Sequence, residues 1–165
     1  MHPLFVQYCA YFNGNEDYFE CHEVLEEYWK EIAPGDRQHI LVGFVQLATG
    51  LYHWRRGNMN GALRTLQKAY NCLQNEAQSP FFDMLNRANL LDELQKAIRR
   101  IQAKESFQAF QLLIVNKEFA QLVSSYSAKL EPVSNAFLRD KHKLRDRSAI
   151  IAERQARLDA KNQAK

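Results

Sequence analysis

The sequence predicts an all-α fold: a single-domain helical bundle of stacked antiparallel helix hairpins, with about five to seven helices. Three observations carry this. Apolar residues recur at spacings of three and four through most of the chain. Polar breaks such as Asn13-Gly14-Asn15, Pro34-Gly35-Asp36 and Gly57-Asn58 separate those runs. Only six glycines and four prolines are present, too few for a turn-rich β architecture.

The first helix is expected over about residues 3 to 12, with Pro3 in its first turn and Leu4, Tyr8, Tyr11 and Phe12 at helical spacing. The second runs from Glu16 to Ile32, its early carboxylates complementing the helix dipole and Phe19, Val24, Leu25, Tyr28, Trp29 and Ile32 supplying the apolar set. A third, from about Arg37 to Arg56, is so densely apolar that it must be buried on most sides and sit centrally. A fourth, Met59 to Leu73, repeats Leu63, Leu66, Ala69, Tyr70 and Leu73. These four make two hairpins.

Ser79-Pro80 opens a short segment through Asn86, and Asn89 is a candidate cap for a fifth helix that turns Leu90, Leu91, Leu94, Ile98 and Ile101 inward. Leu112 to Val115 suits a strand as well as a helix, and with no second strong strand to pair with, a helix is expected there. The helical bundle is assigned to residues 1–131. Residues 132–165 carry few large apolar side chains and form a basic tail, exposed and helical or partly disordered.

A chain of 165 residues can bury a core without metal or disulfide staples, so a bound metal would serve function more than folding. Cys9, Cys21 and Cys72 are odd in number and contain no C-x-x-C pair, which favours reduced thiols. MHPLFVQYCAYF has no basic residue before its apolar stretch and no small-residue cleavage pattern, and no run is long enough to span a bilayer. A cytoplasmic protein with no membrane span is expected. The net charge of +3 conceals an asymmetry: Glu16, Asp17, Glu20, Glu23, Glu26, Glu27 and Glu31 crowd the head, while Arg139, Lys141, Lys143, Arg145 and Arg147 begin a basic tail.

The stretch YFECHEVLEEYW sets His22, Glu26 and Trp29 on one helical stripe. In the third helix Gly43, Gln46, Gly50, His53 and Gly57 share one face. A glycine inside a helix costs about 1 kcal/mol relative to alanine, and the usual compensation is close approach of another group. Trp29 is the expected filler. If helices two and three fold back across Pro34-Gly35, the two stripes meet, and His22, Glu26 and His53 form a metal-ligand set with Gln46 beside it and Trp29 excluding water. Imidazole with carboxylate suits zinc, manganese, iron or nickel. The plainer reading of the same spacing is a hydrogen-bonded His22–Glu26 pair in a packed interface.

Other chemistries are disfavoured. H-E-x-x-H proteolysis lacks its second histidine, Glu26 standing in that place, and Phe19 and Gly50 occupy the positions where a di-iron bundle needs glutamate. Cys21 and His22 are adjacent and diverge by about 100° around a helix, so they make no dyad. Arg55 and Arg56 with Arg64 and Lys68 read as a solvated helix face, since no nucleic-acid reader motif surrounds them.

The stretches FNGNEDYFECHEVLEEYW and GFVQLATGLYHWRRGNMNGALRTL resemble the family known as domain of unknown function 309, small helical proteins of bacteria and archaea with a His-x-x-x-Glu-x-x-Trp/Tyr hallmark. His22, Glu26 and Trp29 match the hallmark in full. Gly43, Gln46, Ala48, Leu51, His53, Arg56, Gly57 and Asn58 match the second segment. The resemblance is good over about residues 8 to 75, the family-like core extending to about 103, and gives no guidance from about Ser106 onward. It implies a candidate metal-binding motif with no assigned reaction.

The sequence therefore points to one divalent metal ion or a small polar ligand at His22 and Glu26, whether or not the protein is an enzyme. The alternative is a non-catalytic helical scaffold that binds a protein partner, with the His/Glu pair structural. A homo-oligomer is compatible with either, and nucleic acid is not an expected partner, the basic tail being the one part that leaves nonspecific contact open.

Overall fold

The computed structural model describes residues 2–144, with side chains through Lys141. Among them lie seven α-helices: α1 (Pro3–Ala10), α2 (Tyr18–Ile32), α3 (Ile40–Arg55), α4 (Met59–Asn75), α5 (Arg87–Gln102), α6 (Lys117–Ser127) and α7 (Asn135–Leu144). A π-helical turn, Tyr11–Asn15, prolongs α1, and a 3-10 turn, Pro80–Asp83, precedes α5. No described helix is long and apolar enough to cross a membrane.

Short polar side chains set most helix starts. Asp17, Asn58, Asn86 and Asn116 accept the backbone N–H groups of Glu20, Gly61, Asn89 and Phe119, satisfying donors that a first turn leaves open. Asn86 is thus the cap of α5, and the expected cap Asn89 lies inside the first turn. The imidazole of His39 caps α3 in the same way, so α3 begins at Ile40 and Arg37 belongs to the preceding turn.

The central position expected of α3 is borne out. It packs on α2 along one side and α4 along another, and Phe44, Leu47, Ala48, Leu51 and Trp54 are all buried. Phe5, Tyr8, Phe12 and Phe44 pack beside Phe81 and Phe119 in one aromatic cluster that joins α1, α3 and α6.

The helix expected over Leu112 to Val115 is not there. Residues 105–116 run without helix between α5 and α6, making one isolated antiparallel bridge between Leu85 and Ile114. Asn13 holds this stretch by donating to the Leu112 carbonyl at 2.9 Å and accepting the Leu112 N–H at 2.8 Å. Those two bonds and the bridge give the extended backbone the partners that a helix would otherwise supply.

The first part of the basic tail returns to the acidic head. In α7 Leu138 is buried, and Lys141 Nζ lies 2.5 Å from Asp17 and 2.7 Å from Glu20. Burial pulls the Lys141 pKa down, but the hydrogen bonds from the two carboxylates outweigh it and hold the ammonium above its usual value. Expectations for residues 145–165 lie outside the described residues.

Candidate functional site

Helix α2 presents two faces. Tyr18, Cys21 and Leu25 are buried in the core, while His22, Glu23 and Glu26 sit half-buried along its outer edge. Asp17 fixes the start of the helix, being buried itself, capping Glu20 and receiving Lys141. The histidine is therefore carried on a rigid, well-anchored element.

Both ring nitrogens of His22 face carboxylates. Nδ1 is 3.2 Å from Glu23 Oε1, a hydrogen bond in which the imidazole N–H donates. Nε2 is 3.9 Å from Glu26 Oε2, too far for a hydrogen bond. The other Glu26 oxygen, Oε1, is 2.9 Å from Lys30 Nζ. One ligand atom from each of His22, Glu23 and Glu26 lies within 4.8 Å of the others. Glu23 and Glu26 also border a surface recess of about 400 Å³ with Glu20 and Glu27, so the cluster is reached from solvent on an acidic side.

His22 and Glu26, four residues apart, are thus brought together as their spacing suggested. Glu23 joins them, a residue the sequence reasoning counted only among the acids of the head, although neighbours on a helix point about 100° apart. A glutamate side chain is long enough to curl back around that angle, and the run His22-Glu23 was the available signal.

The other stripe sits elsewhere. The glycine face of α3 receives α4, not Trp29: a Cβ at Gly50 would lie 2.5 Å from Leu66 Cδ2, and one at Gly43 would lie 3.0 Å from Cys72 Sγ. Helix α2 instead meets the far side of α3, where Tyr52 packs edge-on to Phe19 and Arg55 lies over Tyr18. Gly50 and Arg55 are five residues apart, about 140° around the helix, which separates the two faces. Gln46 accordingly borders a cavity with α4 residues. Trp29 packs against the core and donates its indole N–H to the Asp36 carbonyl at 2.8 Å, closing the α2–α3 turn.

His53 is not among the residues clustered with His22 and Glu26. Its Nδ1 is 3.3 Å from the side-chain nitrogen of Asn58, the residue that caps α4, so the Asn58 amide donates to a neutral imidazole. Partial burial, then the charges of Arg56 and Arg64, push its pKa below the ordinary value. The folded chain therefore binds fewer protons here than the unfolded chain. That contribution to stability is present above the ordinary histidine value of about 6.5 and is lost as pH falls from there toward the depressed folded value. Thermal denaturation from about pH 7 to about pH 5 should give a shallower loss for His53→Gln than for the wild type. Parallel slopes would remove His53 from the account.

Arg55 is no part of a solvated basic face. Its side chain is 8% exposed, the guanidinium lies 4.7 Å from the centroids of both Tyr18 and Phe107, and it donates to the Glu16 carbonyl at 2.7 Å and the Glu16 carboxylate at 2.6 Å.

Comparison with known proteins adds to this geometry. The family model described as "Domain of unknown function (DUF309)" matches residues 5–65, a span that contains both helices of the α2–α3 hairpin. The "Uncharacterized protein YpuF" of Bacillus subtilis (strain 168) is 35% identical over 173 residues, covering 100% of this chain and 99% of that protein. No solved structure matches the chain.

Proposed function

The chain belongs to the DUF309 family, and from that premise and the α2 cluster we propose that it binds one divalent transition-metal ion through His22 and Glu26. The observation that carries the proposal is the 3.9 Å gap between His22 Nε2 and Glu26 Oε2, alongside an Nδ1 already engaged by Glu23. Ligating atoms at about 2.1 Å from a tetrahedral zinc stand about 3.4 Å apart, so a shift of a few tenths of an ångström would seat an ion between them. Glu23, accepting the Nδ1 proton, would fix the tautomer that leaves Nε2 unprotonated, the usual carboxylate–histidine arrangement around a metal.

The donor set also fits chemically. One imidazole with one or two carboxylates suits zinc, manganese, iron or nickel better than calcium, which prefers oxygen alone. Lys141 on Asp17 and Glu20, and Lys30 on Glu26, stand at either end of the acidic row. The remaining coordination positions would face the acidic recess, open to water or to a small polar ligand. Such a metal could act as a Lewis acid on what binds there, although no donor in the cluster commits the site to a particular reaction.

Full-length protein purified without affinity tag or chelator should contain about one equivalent of metal by plasma mass spectrometry. His22→Ala should abolish it, and Glu23→Gln should weaken binding about 10- to 100-fold. If the wild type holds no stoichiometric metal and takes up neither zinc nor manganese, and His22→Ala changes stability alone, the His22–Glu26 pair is structural and the proposal fails.

A further inference from the structure

A second cavity, open to solvent and of about 430 Å³, lies between α3, α4 and the turn before α3; most of its lining residues, Arg37 and Lys68 among them, are exposed, and no residue of α2 lines it. Its size falls within the range of small-molecule pockets, about 300 to 1,000 Å³. On α3 it is bordered by Val42 and Gln46, one turn apart, and on α4 by Lys68, Asn71, Cys72 and Asn75, all on one face at spacings of three, one and three.

The walls are built, and are not a chance gap between loops. Gly43 lacks the Cβ that would press on Cys72 and Leu73, so α3 and α4 approach closely beneath the cavity. The turn carrying Arg37 is fixed from within by Asp36, whose carboxylate accepts the Gln38 N–H at 2.9 Å. The turn also lies against α4, where Cys72 Sγ is 3.9 Å from the Gln38 carbonyl and 3.8 Å from that of His39. Burial raises the Cys72 pKa, which keeps the thiol protonated and a poor nucleophile.

The polar groups at this cavity are incompletely used. Gln46 Oε1 is buried and accepts no hydrogen bond, so its desolvation is uncompensated until a donor arrives. Neither Arg37 nor Lys68 has an ion-pair partner among the described residues, and Glu76 is the one acid in the lining. The lining thus combines two cations, one carboxylate and four side-chain amides with no aromatic ring, a composition that suits an oxyanion and gives a nucleobase nothing to stack on.

We propose that this cavity binds a small organic anion, a phosphate- or carboxylate-bearing molecule that also carries an O–H or N–H donor. Arg37 and Lys68 hold the oxyanion, and the Gln46 amide turns its Oε1 out of its buried position toward the cavity to accept from the donor. The site is separate from the His22–Glu26 cluster and stands or falls without it.

Two-dimensional amide NMR on the full chain tests this with three probes: inorganic phosphate, glycerol 3-phosphate and citrate. Saturable shifts are expected at the Gln46 side-chain amide and around Arg37 and Lys68, with a hydroxyl-bearing probe binding more tightly than inorganic phosphate. Arg37→Gln with Lys68→Gln, both at the cavity rim, should weaken binding about tenfold or more. Gln46→Leu should erase the preference for the hydroxyl-bearing probes, and His22→Ala should leave every titration unchanged. No saturable shift with any of the three probes overturns the proposal. So do shifts spread evenly over surface lysines and arginines, which report ionic screening alone.

Discussion

Gly50→Val should destabilise the protein by about 3 kcal/mol, at the upper end of what overpacking a core costs. Even alanine at this position would place its Cβ 2.5 Å from Leu66 Cδ2, 2.6 Å from Cγ and 3.2 Å from the Leu66 backbone nitrogen. Leu66 is fully buried, so its side chain can yield only by displacing other core atoms, and its backbone is fixed in α4. Alanine recovers about 1 kcal/mol of helix propensity, so Gly50→Ala should cost less than valine while still being destabilising. Urea denaturation reads both, and adding Leu66→Ala to Gly50→Ala should return part of the loss caused by the clash, a non-additivity expected of residues in contact. If Gly50→Ala raises the urea midpoint, α3 and α4 do not meet as closely as described.

Arg55→Leu carries the second large effect, a loss of about 2–3 kcal/mol, the scale of giving up a desolvated cation–π contact together with hydrogen bonds from a charged donor. The cation lies between Tyr18 and Phe107 and closes two hydrogen bonds on Glu16. Glu16 has φ of 56°, a left-handed conformation that a glutamate rarely adopts, at the junction between the π turn and α2. Arg55 thus clamps the residue that turns the chain into the helix bearing His22. Arg55→Lys should not restore the loss, because an ammonium cannot supply the planar fork that reaches carbonyl and carboxylate together. Glu16→Gly relieves the backbone while deleting an ion pair whose acid is 43% exposed, so it should cost much less than Arg55→Leu. Chemical denaturation ranks the three, and equal losses for Arg55→Leu and Glu16→Gly would contradict the clamp.

These residues also mark where sequence reasoning stops. Helices α2 to α5 were legible because apolar periodicity and polar breaks are local signals, and α3 announced its central place through apolar content alone. The glycines of α3 announced a close approach, but spacing cannot say which helix approaches, and α4 took the place assigned to α2 and Trp29. Arg55 looked like surface charge because its burial depends on Tyr18 and Phe107, which reach it only in the folded chain. Leu112 to Val115 were misread because the partners of this stretch, Asn13 and Leu85, lie far away in sequence.

At the candidate site, the i, i+4 relation of His22 and Glu26 was local and therefore readable. The contribution of Glu23 required a side-chain rotamer, and the placement of His53 with Asn58, Arg56 and Arg64 required knowing which face of α3 meets α4.

The most direct test of the metal proposal is anomalous diffraction from crystals of the full-length protein grown with zinc, recorded on both sides of the zinc absorption edge. The account predicts a single strong peak between His22 Nε2 and Glu26 Oε2, about 2.0–2.2 Å from each, with Glu23 still on Nδ1. Well-ordered His22 and Glu26 side chains with no peak between them, or a peak only at other histidines, would contradict it.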